Sequence, residues 1–107
     1  MIQPTLSEQT RQTLEAFVAG LPGDQQEIVG KAFETLMASD TAANAVKSGD
    51  KAPDFTLPSV RGGELALADA LEEGPVVLSF YRGSWCPFCN LELNALQQRM
   101  DDIKACG

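Results

Sequence analysis

An α/β domain preceded by a helical hairpin is the fold class this sequence predicts, from three observations. The first 46 residues carry two helix-period apolar stripes. From Gly49 the composition changes to short apolar runs punctuated by Pro53, Pro58 and Gly62-Gly63. A β-prone run, Val76–Tyr81, is then followed by a further helix-period stretch. At 107 residues there is room for a single core, and 44% apolar with 21% charged residues describes a folded chain rather than a disordered one.

In chain order, Ser7 is positioned to cap a helix whose Leu14, Phe17 and Val18 share one face, and Gly20 with Leu21-Pro22-Gly23 ends it. A second helix opens at Asp24, with Glu27 three residues on in a capping-box-like pairing. Ile28, Val29, Ala32, Phe33, Leu36 and Met37 give it a wide apolar face, expected to pack on the domain's own core. These helices define an N-terminal helical region, 1–46, and the α/β part is expected over 47–107.

Phe55-Thr56-Leu57 and Glu64-Leu65-Ala66-Leu67, on either side of Gly62-Gly63, predict a β-hairpin. A short helix from Ala68 to Glu73 follows. The continuous β-prone run Val76–Tyr81 predicts a central strand buried on both faces. Beyond it, Cys89, Leu93, Leu96, Met100 and Ile103 recur at spacings of four and three, which predicts one helix face.

Charge and targeting narrow the partners. Fifteen acidic against eight basic residues give a net charge of −7, which repels nucleic acid and acidic membrane surfaces alike. No apolar run approaches the ~20 residues of a membrane span. The opening MIQPTLSEQT has neither the basic nor the apolar region of an export signal, so a cytoplasmic chain is expected. In that reducing compartment, three cysteines with a close pair point to chemistry rather than a disulfide staple.

That pair is Cys86-Pro87-Phe88-Cys89, between the predicted strand and the last helix. Pro87 fits the first helical position, where its missing N–H costs nothing, which places Cys86 at or near the cap and Cys89 within the first turn. Both sulfurs then lie at the positive end of the helix, which favours an anion by up to ~2 kcal/mol. Arg82 adds a second positive influence, while Trp85 and Phe88 wall the site. In Cys-x-x-Cys motifs such influences commonly bring a thiol from ~8.5 to ~7 or below. One sulfur attacks a substrate and the other resolves the product as an internal disulfide.

Zinc is disfavoured, because the chain has no histidine and only Cys106 besides the pair. A purely structural role for two buried cysteines fits poorly with the strand–loop–helix setting and the intervening proline. Glu72-Glu73 and Asp101-Asp102 read as solvated surface, and Gly62-Gly63 as a turn without phosphate-loop spacing. Neither a cofactor nor a metal is expected.

The segments GDKAPDFTLP at 49–58 and VVLSFYRGSWCPFCNLEL at 76–93 resemble the alkyl hydroperoxide reductase/thiol-specific antioxidant (AhpC/TSA) family, in its peroxiredoxin-like branch with a Cys-x-x-Cys. The resemblance covers the chain from Gly49 onward. It implies the N-terminal half of a thioredoxin-like fold after the helical hairpin, and hydroperoxide reduction through a cysteine that becomes a sulfenic acid, with thiols as electron donor. Two departures stand out. The family places a Pro seven residues before the reactive cysteine and a Thr or Ser three before it; counted from Cys89, those positions hold Arg82 and Cys86. The family also continues past the point where this chain stops, with further strands, a helix, a cis-proline loop and a peroxide-binding arginine.

Cys86 and Cys89 are therefore the expected reactive pair, supported by Arg82, Trp85, Pro87 and Phe88, with Cys106 a bystander. The resemblance makes Cys89 the attacking thiol, whereas the better exposed cap position favours Cys86. Two other readings stand beside peroxide reduction: a thioredoxin-like oxidoreductase with a protein-disulfide substrate, and a non-catalytic, truncated module that assembles with itself. Uncovered sheet edges lead to the expectation of a homo-oligomer.

Overall fold

The structure is a computed structural model and describes residues 2–107. Its elements are α1 (Leu6–Ala19), α2 (Gly23–Ala38), β1 (Thr56–Pro58), β2 (Glu64–Ala66), α3 (Leu67–Glu73), α4 (Pro87–Gln98) and α5 (Met100–Ala105). This is a mixed architecture of helices and one small sheet. Two compact units result: Met1–Ala45 with Tyr81–Gln98, and Val46–Phe80 with Arg99–Gly107.

In the first unit, α1 starts two residues earlier than Ser7 suggests. Thr5 is the cap: its Oγ1 accepts from the Glu8 N–H at 3.2 Å, and the Glu8 carboxylate accepts from the Thr5 N–H at 2.7 Å. Thr5 and Glu8 hold the spacing of a capping box, leaving Ser7 inside the first turn. The Thr5 N–H and then its hydroxyl hold the Glu8 carboxyl below its usual range. Its contribution to stability is therefore present above the ordinary glutamate range and is lost as pH falls through the lowered folded value. Thr5→Ala should cost about 1 kcal/mol in thermal melts followed at 222 nm. The deficit should shrink in acid, and one that is constant down to acid pH would rule the reciprocal bond out.

The capping box expected at Asp24 and Glu27 does not form. α2 begins earlier, with Pro22 as its cap and no side-chain cap bond, and the Gln26 N–H donates to the Pro22 carbonyl at 2.9 Å. Glu27 instead pairs with Lys31 at 3.0 Å, an exposed i,i+4 contact worth a few tenths of a kcal/mol. α1 packs against both α2 and α4. Its Leu14 and Val18 are half-buried, but Phe17 is exposed. The wide face of α2 is only partly used, since Ile28, Leu36 and Met37 are exposed. One neighbouring helix is too narrow to cover a stripe of that width, so the expected packing of this face on a core is not met.

The second unit holds the predicted hairpin. β1 and β2 pair antiparallel, with Thr56 opposite Ala66, Leu57 opposite Leu65 and Pro58 opposite Glu64. Gly62 and Gly63, at φ +95° and +69°, supply the left-handed backbone of its tip. Asp54 links hairpin to helix: its Oδ1 accepts from the Phe55 N–H at 2.9 Å and from the Ala68 N–H at 3.3 Å, at the start of α3, which lacks a cap of its own. Leu67 is the buried residue here.

Val76–Tyr81 is not the central strand its composition predicts. The segment pairs with no strand among the described residues, and Val77, Leu78, Phe80 and Tyr81 are exposed. A buried strand needs a neighbour on each edge, and the only sheet described is the two-stranded hairpin. The last helix also differs from expectation: it is divided at Arg99, so Met100 and Ile103 lie on α5 rather than continuing the face of Cys89, Leu93 and Leu96. Arg99 caps α5 by position and pairs with Asp102 at 2.6 Å. No helix among the described residues is long and apolar enough to cross a membrane.

Candidate active site

Pro87 is the first residue of α4, where its fixed φ and missing N–H suit a helix start. Cys86 lies just before it and acts as the cap. Its carbonyl accepts from the Asn90 N–H at 3.1 Å, and its sulfur accepts from the Cys89 N–H at 3.4 Å. A sulfur thus fills the place usually taken by a Ser, Thr or Asp oxygen, bonding to the third helical residue.

Cys89 turns its thiol to the same point, and its S–H donates to the Cys86 sulfur at 2.8 Å. Both cysteines are free and buried, at 1% exposure for Cys86 and 7% for Cys89, so the cap position is not the better exposed one that its place before the helix predicts: the Cys89 thiol folds over its sulfur. The Cys86 thiol is held below its ordinary pKa. The Cys89 S–H is the largest cause, followed by the Cys89 N–H, against an opposing push from burial; the Arg82 charge and the Phe88 N–H add smaller contributions in the same direction. The cause is the one the helix start dictates: donors converge where no acceptor of the helix itself is present.

The loop before the helix is held from three sides. Gly83, at φ +151°, lies where the Trp85 indole folds back so closely that a Cβ would collide with it. Its carbonyl accepts from the Cys86 N–H at 3.0 Å. The Arg82 guanidinium stands 5.0 Å from the centre of the Trp85 ring, a cation–π contact. Asn90, one turn into α4, donates from its side-chain amide to the Ser84 carbonyl at 2.9 Å and so ties loop to helix.

Of the residues singled out from sequence, the structure brings together Cys86, Cys89, Pro87, Arg82 and Trp85. Phe88 is half-buried between the cysteines, while Trp85 is 68% exposed and lies over the loop backbone rather than enclosing the sulfurs. Asn90 is absent from that set. The signal for it is its place four residues after Cys86, on the turn that faces back to the loop. Cys106 belongs to the other unit, exposed, with its S–H on the Asp102 carbonyl at 3.4 Å. Among the described residues no three His, Cys, Asp or Glu side chains gather as a metal ion would require.

A thiol held below its ordinary pKa with a second thiol in contact is an arrangement that can carry two-electron chemistry, in which one sulfur is oxidised or joined to a substrate sulfur and the other displaces the product by closing a disulfide.

Comparison with known proteins gives this arrangement a setting. Residues 48–107, more than half the chain, match the model of the AhpC/TSA family. Peroxiredoxin Bcp of Escherichia coli strain K12 is 34% identical over 64 residues, which are 60% of this chain and 40% of that protein. The Mycobacterium tuberculosis protein named "Putative peroxiredoxin Rv1608c" is 43% identical over 47 residues, 44% of this chain and 30% of its own. The chain thus spans less than half the length of these curated relatives. No solved structure matches it at a comparable level of significance.

Proposed function

The chain belongs to the AhpC/TSA family, and we propose on that footing that it is a peroxiredoxin-like redox protein whose reactive pair is Cys86 and Cys89. The hairpin and the helix that starts at the cysteines correspond, in this reading, to the first half of a thioredoxin-like fold. The observation that carries the proposal is the contact between the two sulfurs at the start of α4, with the Cys86 thiol shifted toward its reactive form.

In this reading the Cys86 thiolate attacks the outer oxygen of a hydroperoxide. The O–O bond breaks, an alcohol leaves with a proton, and the sulfur becomes a sulfenic acid. The Cys89 thiol then attacks that sulfur, expelling water and forming the Cys86–Cys89 disulfide. Two external thiols restore both cysteines and leave as a disulfide, so each cycle moves two electrons from thiol to peroxide. Arg82 supports the thiolate, Pro87 sets the helix start, Phe88 and Trp85 flank the pair, and Asn90 holds the loop.

A second reading, reduction of a protein disulfide, is favoured by one observation: Cys86, the cysteine held in the lowered state, is the first of the pair. In thioredoxin-like exchange the first cysteine attacks and the second resolves.

The test is one equivalent of an organic hydroperoxide added to the reduced protein, with thiol counting and peptide mass mapping. The expected result is loss of two thiols, a disulfide between Cys86 and Cys89, and a Cys106 that remains free. If both thiols of the pair survive, or bridges run only through Cys106, the proposal fails.

A further inference from the structure

We propose that the N-terminal helices build, against the cysteine-bearing helix, a binding cleft for a small aromatic carboxylate. Within the first unit lies a cavity of about 540 Å³ to which α1 contributes Arg11 and Leu14, α2 contributes Phe33, and the cysteine loop and α4 contribute Arg82 and Phe88. That volume is in the ordinary range of small-molecule sites.

The lining divides by chemistry. Leu14, Phe33 and Phe88 offer an apolar body with two aromatic faces, which suit a ring in edge-to-face or offset contact. Arg11 and Arg82 offer guanidinium groups, planar donors matched to a carboxylate. No carboxylate lines the cleft. In a chain with a net charge of −7 and only eight basic residues, two of them beside one cavity form a local reversal of sign. Ser7 and Thr10 also border it, but the Thr10 hydroxyl is already donated to the Leu6 and Ser7 carbonyls, each at 3.0 Å.

The two arginines are not equally committed. Arg82 has no ion-pair partner among the described residues: its guanidinium lies over the Trp85 ring, and its charge acts on the Cys86 thiol as one of the smaller causes of its lowering. Arg11 is paired with Glu15 at 2.8 Å, so that carboxylate competes with any bound anion for the same guanidinium. The surface exposed to the cleft is mostly apolar, which favours a single carboxylate on an aromatic body over a multiply charged phosphate, which would leave charge against Leu14 and the phenylalanines. Arg11, Leu14 and Phe33 all lie outside residues 48–107, so the cleft is an addition by this chain's own N-terminal segment to the part that matches the family. The cleft shares Arg82 with the redox reading, but its test is separate from it, since binding is measured without turnover.

The experiment titrates the reduced full chain with 4-phenylbutyrate, followed by calorimetry and by emission of Trp85, the single tryptophan. A dissociation constant of about 0.1–1 mM is expected for a ligand of this size. The neutral analogue 4-phenylbutyramide should bind about tenfold more weakly, as should 4-phenylbutyrate to Arg11→Gln and Arg82→Gln proteins, read by calorimetry. Glu15→Gln should bind more tightly than the parent, a gain that damage to the fold would not produce, and far-ultraviolet circular dichroism checks the helices of each variant. Absence of saturable heat below about 10 mM, equal affinity for the carboxylate and the amide, or no gain in Glu15→Gln would each overturn the proposal.

Discussion

Cys89→Ser protein mixed with a small aromatic disulfide is expected to accumulate a mixed disulfide through Cys86 and to stop there. Turnover should fall by about 10³-fold or more, the scale on which losing one member of a cooperating catalytic set acts. In the proposed roles Cys86, which receives the converging donors, attacks, and Cys89, whose S–H lies 2.8 Å from it, resolves. Removing the second leaves the first competent but unable to release its product. Cys86→Ser should be inert in the same assay, and for a reason other than unfolding: serine is a better helix cap than cysteine, and its hydroxyl can take over the bond from the Cys89 N–H. Circular dichroism should therefore show α4 unchanged or steadier in that variant. A sulfenic acid trapped on Cys89 of Cys86→Ser protein after hydroperoxide treatment would reverse the roles, and would agree instead with the position of the reactive cysteine in the family pattern.

The rate of Cys86 alkylation should rise with pH around a midpoint below that of an ordinary thiol, and fall about tenfold per pH unit beneath it. Because the Cys89 S–H is the largest cause of the lowering, Cys89→Ala should move the midpoint upward. Arg82→Gln should move it the same way by less. Stability follows with a defined sign: the folded value lies below the unfolded one, so the thiolate's contribution is complete above the ordinary thiol range and fades as pH drops through the folded midpoint. Reactivity is read with a small reagent such as iodoacetamide, since Cys86 is 1% exposed and the loop must part to admit it. Profiles of the parent and of Cys89→Ala that coincide at the ordinary thiol value would remove the donor network as the source of activation.

What was legible in the sequence was local. The helix start at Pro87 follows from one residue's missing N–H, and the adjacency of Cys86 and Cys89 follows from a spacing of three at that start. The hairpin follows from Gly62-Gly63 between two short apolar runs. Val76–Tyr81 is the opposite case, where the answer depends on residues that are not adjacent. The segment has the composition of a strand, but pairing is a property of neighbours, and the described sheet supplies none for it. The break at Arg99 has no glycine or proline to announce it. The cap of α1 was two residues further back than Ser7, although Thr5 and Glu8 carry the pattern in plain view. The cleft lay beyond reach because Arg11 and Arg82 border the same space only when α1 rests beside α4.

The sulfur at position 86 is both a candidate electron donor and the acceptor that closes the first turn of α4. Those two occupations share the same lone pairs. A thiolate accepts strongly from the Cys89 N–H; once oxidised, the sulfur is neutral and accepts poorly, so the turn gives up a bond as the protein gives up electrons. Reduction potential and helix fraying are then linked quantities, in the sense that any change favouring one state of the turn must favour one state of the couple. A substitution or ligand that steadies the capped turn makes the protein a weaker reductant, and one that frays it makes the protein a stronger one.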